Sequence, residues 1–185
     1  MAYLIIAVVL ALVIAPLFSI LPSKSSRQIM QVRRAAMTRG IAVELTTIND
    51  PNPNQEKYRS NTGRPLAAKL SVAAYKGVAR KPSQYPIWSV VRRVSSEPDD
   101  GGVCGFHSTT ETPIGLPLRR FLAETAEDLP SGVQQITWDG RQLVVLWVES
   151  GMILDGEKIF TFLDEGLQWL ALAPAGFLPD QQGEA

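Results

Sequence analysis

The hydrophobic pattern begins with a long stretch that carries no charge. Residues 2–21 read AYLIIAVVLALVIAPLFSIL and contain no Asp, Glu, Lys or Arg. A helix rises about 1.5 Å per residue, so this stretch matches the roughly 30 Å hydrocarbon core of a bilayer. It exceeds the apolar run of about 7–15 residues in a signal peptide, and no basic leader precedes it. We therefore predict an uncleaved transmembrane anchor over residues 1–22.

A basic amphipathic segment follows the predicted anchor. Ser23 is a good N-cap and Gly40 a good stop, which predicts a juxtamembrane helix over residues 23–40. Arg33 falls inside its partial apolar face. The pattern fits either an interfacial helix beside the headgroups or a stalk packed on the following domain. The apolar positions of this face are Ile29, Met30, Val32, Ala36 and Met37.

The pattern of residues 41–174 predicts one mixed α+β domain, with a possible sub-boundary near 95–115 and a flexible tail at 175–185. Turn-forming residues fill 49–65 and 95–102, and both are predicted as loops or linkers. Residues 66–79 fit either a helix or a strand. The other predicted elements are a strand at 41–48, a strand at 85–94, a helix at 116–129, a hairpin at 133–150 and a packing helix at 155–173.

The hairpin has the strongest local signal in the chain. Two strand-like runs flank Asp139–Gly140, the residue pair that a type I′ turn prefers. The second run, 143–148, is apolar at every position, so we predict a central strand that is covered on both faces.

The charge next to the anchor predicts the membrane topology. Basic residues within about twenty positions of the membrane tend to stay in the cytoplasm. We therefore expect a single-pass protein of a bacterial-type inner (plasma) membrane, with the amino terminus outside and the domain cytoplasmic. A lone cysteine, Cys104, agrees with a reducing compartment. The candidate membrane-surface residues are Lys24, Arg27, Arg33, Arg34 and Arg39.

The net charge of zero conceals a division between the two halves of the chain. Residues 22–93 hold fourteen Lys or Arg and three Asp or Glu, whereas residues 94–185 hold four and fifteen. Such asymmetry often marks an interaction surface. The basic half could lie against anionic headgroups, or the two halves could attract each other within one fold.

Candidate chemistry centres on Cys104 and His107, the only cysteine and the only histidine. A base beside a thiol can generate a nucleophilic thiolate, but catalytic pairs usually come from separate segments and no third orienting residue is evident. Two ligands are too few for a structural zinc site. We expect these residues to lie in a glycine-rich connecting loop, and we expect neither a metal nor a cofactor.

Other signals for ligands are weaker. Arg59, Gly63 and Arg64 could contact phosphate, yet the loop at 59–65 lacks the GxxxxGK[ST] pattern and its strand-to-helix setting. The basic half has too few aromatic residues to form a stacking platform, so nucleic acid is not an expected partner. The acidic pairs on the predicted helices fit solvated faces.

The layout and the lack of a catalytic set lead to a hypothesis of a non-catalytic accessory or assembly subunit. Such a protein would be anchored in the bilayer and would dock on a larger membrane protein complex. Accessory subunits of bacterial membrane complexes have a similar layout, and the analogy rests on that layout alone. Trp138 and Trp147 are predicted as core residues or as candidates for the partner interface. The alternatives are a membrane-anchored enzyme that uses Cys104 and His107, and a module that binds anionic lipid or phosphate.

Overall fold

The described elements form a mixed α+β domain, as the hydrophobic pattern predicts, and its strands form an antiparallel sheet. A computed structural model describes Tyr3 and residues 23–54, 56–81, 83–93, 102–109 and 115–172. The predicted anchor, apart from Tyr3, and the predicted tail lie outside these residues, as does most of the linker at 95–102. The described elements are α1 (Lys24–Thr38), β1 (Ala42–Asn49), β2 (Lys69–Val78), β3 (Trp88–Arg92), β4 (Phe106–Ser108), α2 (Leu116–Thr125), β5 (Val133–Trp138), β6 (Gln142–Trp147) and α3 (Ile153–Leu172).

Within the described residues the sheet has six strands in the order β1-β2-β6-β5-β3-β4, with every neighbouring pair antiparallel. The predicted hairpin is confirmed, because β5 and β6 pair on either side of Asp139–Gly140. Gly140 has a φ of 94°, which only glycine adopts easily. The Asp139 carboxylate accepts from the backbone amides of Arg141 and Gln142 and so closes the turn.

The segment at 66–79, which fits helix or strand by sequence, is strand β2. It pairs with β1 on one side and with β6 on the other, so long-range hydrogen bonds override the helix propensity of its alanines. The segment expected to be only a connecting loop contains a short strand as well. Phe106–Ser108 adds to the sheet edge beside β3 as strand β4.

The described helices pack on the same face of the sheet. A β-carbon on Gly77 of β2 would lie 2.9 Å from Leu167 of α3, and one on Gly166 of α3 would lie 2.5 Å from Leu143 of β6. The core between the layers includes the fully buried Trp138, Val145 and Leu163. Strand β6 is central, as predicted. Its residues alternate between buried and half-buried, and the described helices lie on the buried face.

Helix α1 begins and ends where the sequence predicts. The Ser23 hydroxyl accepts from the Ser26 amide at 3.2 Å, and Gly40 follows the last turn with a φ of 77°. Within the described residues, no helix has both the length and the apolar character needed to cross a bilayer.

Candidate functional site

The arginine that interrupts the apolar face of α1 is bound to a buried carboxylate. Arg33 donates to both oxygens of Glu149, with 2.9 Å between Arg33 Nε and Glu149 Oε1. Tyr75 of β2 donates its hydroxyl to the same Oε1 at 2.7 Å. The side chain of Glu149 is 8% exposed and that of Arg33 is 28% exposed. We call these three residues the α1 lock.

The electrostatics of the α1 lock follow from its burial. Hydrogen bonding to Glu149 raises the pKa of Arg33, and burial, followed by the bond to Glu149, raises the pKa of Tyr75. Arg33 therefore stays charged and the phenol stays protonated at neutral pH. A bidentate pair between a guanidinium and a carboxylate is also among the most geometrically specific contacts in proteins. The α1 lock thus joins the amino-terminal helix to the sheet in one geometry.

Further contacts fix α1 along the first half of α3. Val32 packs so closely on Gly156 that a β-carbon there would lie 2.6 Å from Val32 Cγ1. Arg39 pairs with Glu157 at 2.6 Å, and its guanidinium lies 4.9 Å from the centre of the Phe160 ring. Helix α1 is therefore packed on the domain. This matches the stalk and not the interfacial helix, the two arrangements that its sequence pattern fits. The pairs of Arg33 and Arg39 also connect the basic half of the chain to the acidic half.

The candidate membrane-surface residues separate into two groups. Arg33 and Arg39 are engaged by carboxylates of the domain. Lys24, Arg27 and Arg34 are exposed on α1. Lys24 and Arg34 therefore present their charge to solvent or to a surface beside the helix.

A cleft of about 320 Å³ lies beside the α1 lock, between the helix and strands β1 and β2. Leu45, Thr47 and Ala73 line it. The charged groups in its lining are Arg33 and Glu149, which neutralise each other. The cleft consequently has no uncompensated charge that would hold an ionic ligand.

A longer depression runs between α2 and α3, and we call it the α2–α3 groove. It consists of two clefts of about 480 and 410 Å³, both of which include Glu124 in their lining. The first is mainly apolar, around Leu116, Phe121 and Trp169, although it also contains Arg120. The second is mainly acidic, although it also contains Lys158; its carboxylates are Glu124, Asp128, Glu157 and Glu165.

Aromatic packing shapes the apolar end of the α2–α3 groove. Phe121 and Trp169 stack with their ring centres 5.0 Å apart and their planes 16° apart. Tyr85 meets the same indole edge-on at 4.9 Å. Leu116 stands at the first turn of α2 and is 68% exposed, so an apolar side chain lies at the entrance of the groove.

Cys104 and His107 do not form an activated pair. Cys104 is an exposed residue, but partial desolvation of its thiol, with Glu127 adding to it, raises the thiol pKa, and a nucleophilic thiol needs the opposite shift. The thiol donates to the carbonyl of Ala123 at 3.8 Å. His107 lies half-buried on β4, where it pairs opposite Val91. The described residues contain no group of three or more His, Cys, Asp or Glu placed to hold a metal ion.

The loop considered for phosphate binding uses its own amides internally. The amides of Thr62 and Arg64 donate to the Ser60 hydroxyl at 3.3 and 3.2 Å. The Gly63 amide donates to the Ser60 carbonyl at 2.8 Å. These donors are therefore occupied by Ser60, which leaves a solvated loop.

Trp138 and Trp147 are core residues, which is the first of the two alternatives for them. They are 0% and 1% exposed. They lie on the face of the sheet that the helices cover, so a partner cannot reach them without unfolding the domain.

Sequence reasoning missed the α1 lock and the α2–α3 groove. The signal for the first was Arg33 inside an apolar face, since a buried charge requires a partner. That partner, Glu149, lies 116 residues away along the chain, and no local pattern connects the two. The groove arises from two helices that meet only in the fold.

No protein family matches the sequence, and no curated protein matches it either. The structure is similar to that of the mycobacterial trehalose monomycolate transport factor A, TtfA, with a TM-score of 0.44 and 9% identity. The likeness covers 80% of this chain and 96% of that one.

Proposed function

We propose that this protein is a membrane-anchored, non-catalytic accessory or assembly subunit that docks on a larger membrane protein complex. The observation that carries the proposal is the α2–α3 groove. One end of the groove is apolar and aromatic around Trp169, and the other end is lined mainly by carboxylates. A groove of this kind suits an amphipathic helix, whose apolar residues enter the aromatic end. Basic residues of the same helix would meet Asp128 and Glu165.

The partner segment is therefore proposed to be amphipathic and basic. Charge complementarity of this kind contributes mostly to specificity and to the rate of association. The apolar anchors supply most of the affinity, as buried aromatic and aliphatic groups do at other interfaces. The interaction should weaken at high salt without vanishing.

The α1 lock supports the same proposal. A docking subunit gains when its binding surface is held in a fixed orientation, because less freedom is then lost on association. Arg33, Glu149 and Tyr75 fix α1 to the sheet, and Val32 fixes it to α3. The α2–α3 groove is thereby held in a defined position relative to the start of α1.

The proposed topology places residues 1–22 across the inner membrane, with the amino terminus outside and the domain in the cytoplasm. It rests on the uncharged stretch and on the basic residues that follow it. A carboxy-terminal alkaline phosphatase fusion should be inactive, and a green fluorescent protein fusion at the same position should fluoresce. The reverse pattern would contradict the topology.

Co-purification tests the docking proposal. The full chain carries a carboxy-terminal affinity tag, is extracted in mild detergent, and is compared with its Asp128→Lys and Glu165→Lys variants. We expect one membrane partner to co-purify with the parent protein and to be depleted from both variants. Glu56→Lys is the matched control, since it makes the same charge change at an exposed position in the loop after β1. Recovery of the partner with all three variants, or of no partner at all, would contradict the proposal that the α2–α3 groove binds the partner.

A further inference from the structure

Three consecutive apolar side chains are exposed where α3 begins. Met152 is 59% exposed, Ile153 is 52% exposed and Leu154 is 70% exposed. We call them the α3 tip. Single exposed apolar residues are common on protein surfaces, whereas a contiguous group marks a contact with a partner or a membrane.

The α3 tip lies beside the beginning of α1. A β-carbon on Gly151 would lie 3.5 Å from both Ile29 Cγ1 and Ser25 Oγ. Farther along, Val32 meets Gly156 and Arg39 meets Phe160, so the contacts advance in the same direction on both helices. The two helices therefore run roughly parallel, and the α3 tip stands at the same end of the domain as the amino terminus of α1.

The α3 tip is held in place by local hydrogen bonds. The Ser150 hydroxyl donates to Asp155 Oδ2 at 2.6 Å and accepts from the Met152 amide at 3.1 Å. Gly151 has a φ of 80°, which turns the chain into the helix. The exposure of these side chains is thus a property of an ordered turn.

We propose that the α3 tip inserts into the interfacial region of the lipid bilayer. The uncharged stretch ends at Leu21, only four residues before Ser25, so the amino terminus of α1 lies next to the membrane surface. Lys24 is exposed at this end of α1, where its ammonium group can meet anionic headgroups. Exposed apolar residues with a basic residue at the same end of the domain favour an interfacial membrane contact.

The Asp155 carboxylate limits the depth of insertion. It directly follows Leu154 in the chain and is bound to Ser150, and a carboxylate does not enter the hydrocarbon core at low cost. The α3 tip therefore reaches the headgroup and upper acyl region only. This inference rests on the proposed membrane attachment, and it is independent of the α2–α3 groove and of any protein partner.

The test places a fluorescent label on the α3 tip of the full-length protein in pure lipid vesicles. The Leu154→Cys variant, in a Cys104→Ser background, is labelled with bimane and reconstituted in phosphatidylethanolamine and phosphatidylglycerol. Vesicles with the domain facing outward are selected by the accessibility of a carboxy-terminal tag. Ile153→Cys is a second labelled variant, and thermal unfolding followed by circular dichroism checks that each variant folds.

Leu116→Cys is the matched control for this experiment. Leu116 is about as exposed as Leu154, and it lines the same cleft as Trp169. Trp169 lies sixteen residues after Ile153 on α3, which places it about 24 Å from the α3 tip. We expect the labels at the α3 tip to emit at shorter wavelength and to lose most of their emission when a lipid carries a doxyl quencher near the headgroup. The label at Leu116 should do neither.

Identical behaviour of the labels at 154 and 116 would overturn the proposal. A change at the α3 tip that occurs in native membranes but not in pure lipid would also overturn it, because the tip would then contact a protein. Since no partner protein is present in the vesicles, a failure here leaves the proposed docking function intact.

Discussion

The Tyr75 hydroxyl donates a hydrogen bond of 2.7 Å to Glu149 Oε1 in the space between the central strands of the sheet and helix α1. The residues are 74 positions apart in the chain. The same carboxylate receives Arg33, so this buried group, two residues beyond the end of β6, joins strand β2 to the amino-terminal helix. The orientation of the domain relative to its proposed membrane anchor therefore depends on this carboxylate.

Removal of the carboxylate should destabilise the domain measurably. Glu149→Ala leaves the Tyr75 hydroxyl and the Arg33 guanidinium without their partner, which we expect to lower the free energy of unfolding by about 2 kcal/mol. Urea unfolding followed by tryptophan fluorescence measures the change. Glu157→Ala is the control: it breaks an ion pair whose side chains are 41% and 42% exposed, and it should cost less than about 1 kcal/mol. Equal losses in the two variants would contradict the importance assigned to the α1 lock.

High pH should destabilise the domain through Tyr75. Burial and the bond to Glu149 raise the pKa of this phenol, so the folded state holds its proton more tightly than the unfolded chain does. The stabilisation is complete below the ordinary tyrosine pKa of about 10 and is lost as the pH rises above it, by at most about 1.4 kcal/mol per pH unit. Unfolding by urea at about pH 9 and about pH 11 should show a smaller decline for Tyr75→Phe than for the parent protein. Equal declines in the free energy of unfolding for the two proteins would show that Tyr75 does not contribute to the loss of stability at high pH.

The thiol of Cys104 should react slowly. Its pKa is raised mainly by burial, so little thiolate is present at neutral pH. The rate of alkylation by iodoacetamide at pH 7 should not exceed that of the same thiol in the urea-unfolded chain, and His107→Ala should leave it unchanged. A faster reaction in the folded protein that depends on His107 would revive the hypothesis of an enzyme.

The contact between α1 and α3 should require glycine at position 156. In an exposed helix interior, alanine would be more stable than glycine by up to about 1 kcal/mol. Here a β-carbon would lie 2.6 Å from the stiff, buried Val32, so Gly156→Ala should instead destabilise by about 1–3 kcal/mol.

A double-mutant cycle separates this contact from other effects of the substitution. Val32→Ala makes room for the new methyl group, so the double variant should be more stable than the sum of the single losses predicts, by about 0.5 kcal/mol or more. Strict additivity of the two losses would show that the close approach does not limit stability.

The elements that sequence predicts well are those with a local signal. Asp139–Gly140 predicts its hairpin because the turn chemistry is contained in two residues, and α3 follows from the spacing of Ile159, Phe162 and Leu163. Strand β2 was ambiguous because its alanines favour a helix and only pairing with β1 and β6 decides its state. Strand β4 is three residues long and exists through its pairing with β3.

The candidate sites depended even more on long-range contacts. Arg33 signalled a buried charge, but nothing local identifies Glu149 as its partner. Large aromatic residues such as the hairpin tryptophans are common both at interfaces and in cores, so their residue type does not separate the two locations. The helices that pack over them place both in the core. The α2–α3 groove combines Leu116 with Trp169, which are far apart in the chain and become neighbours only when α2 packs beside α3.

The most direct test of the proposed docking function is site-specific photocrosslinking in cells. A benzoylphenylalanine at Leu116 stands at the entrance of the α2–α3 groove, and one at Leu45, which is 65% exposed on edge strand β1, serves as the control position. We predict a crosslink from Leu116 to a single membrane protein, its loss when Glu165→Lys is added, and no such product from Leu45. No product from Leu116, or the same products from both positions, would contradict the account.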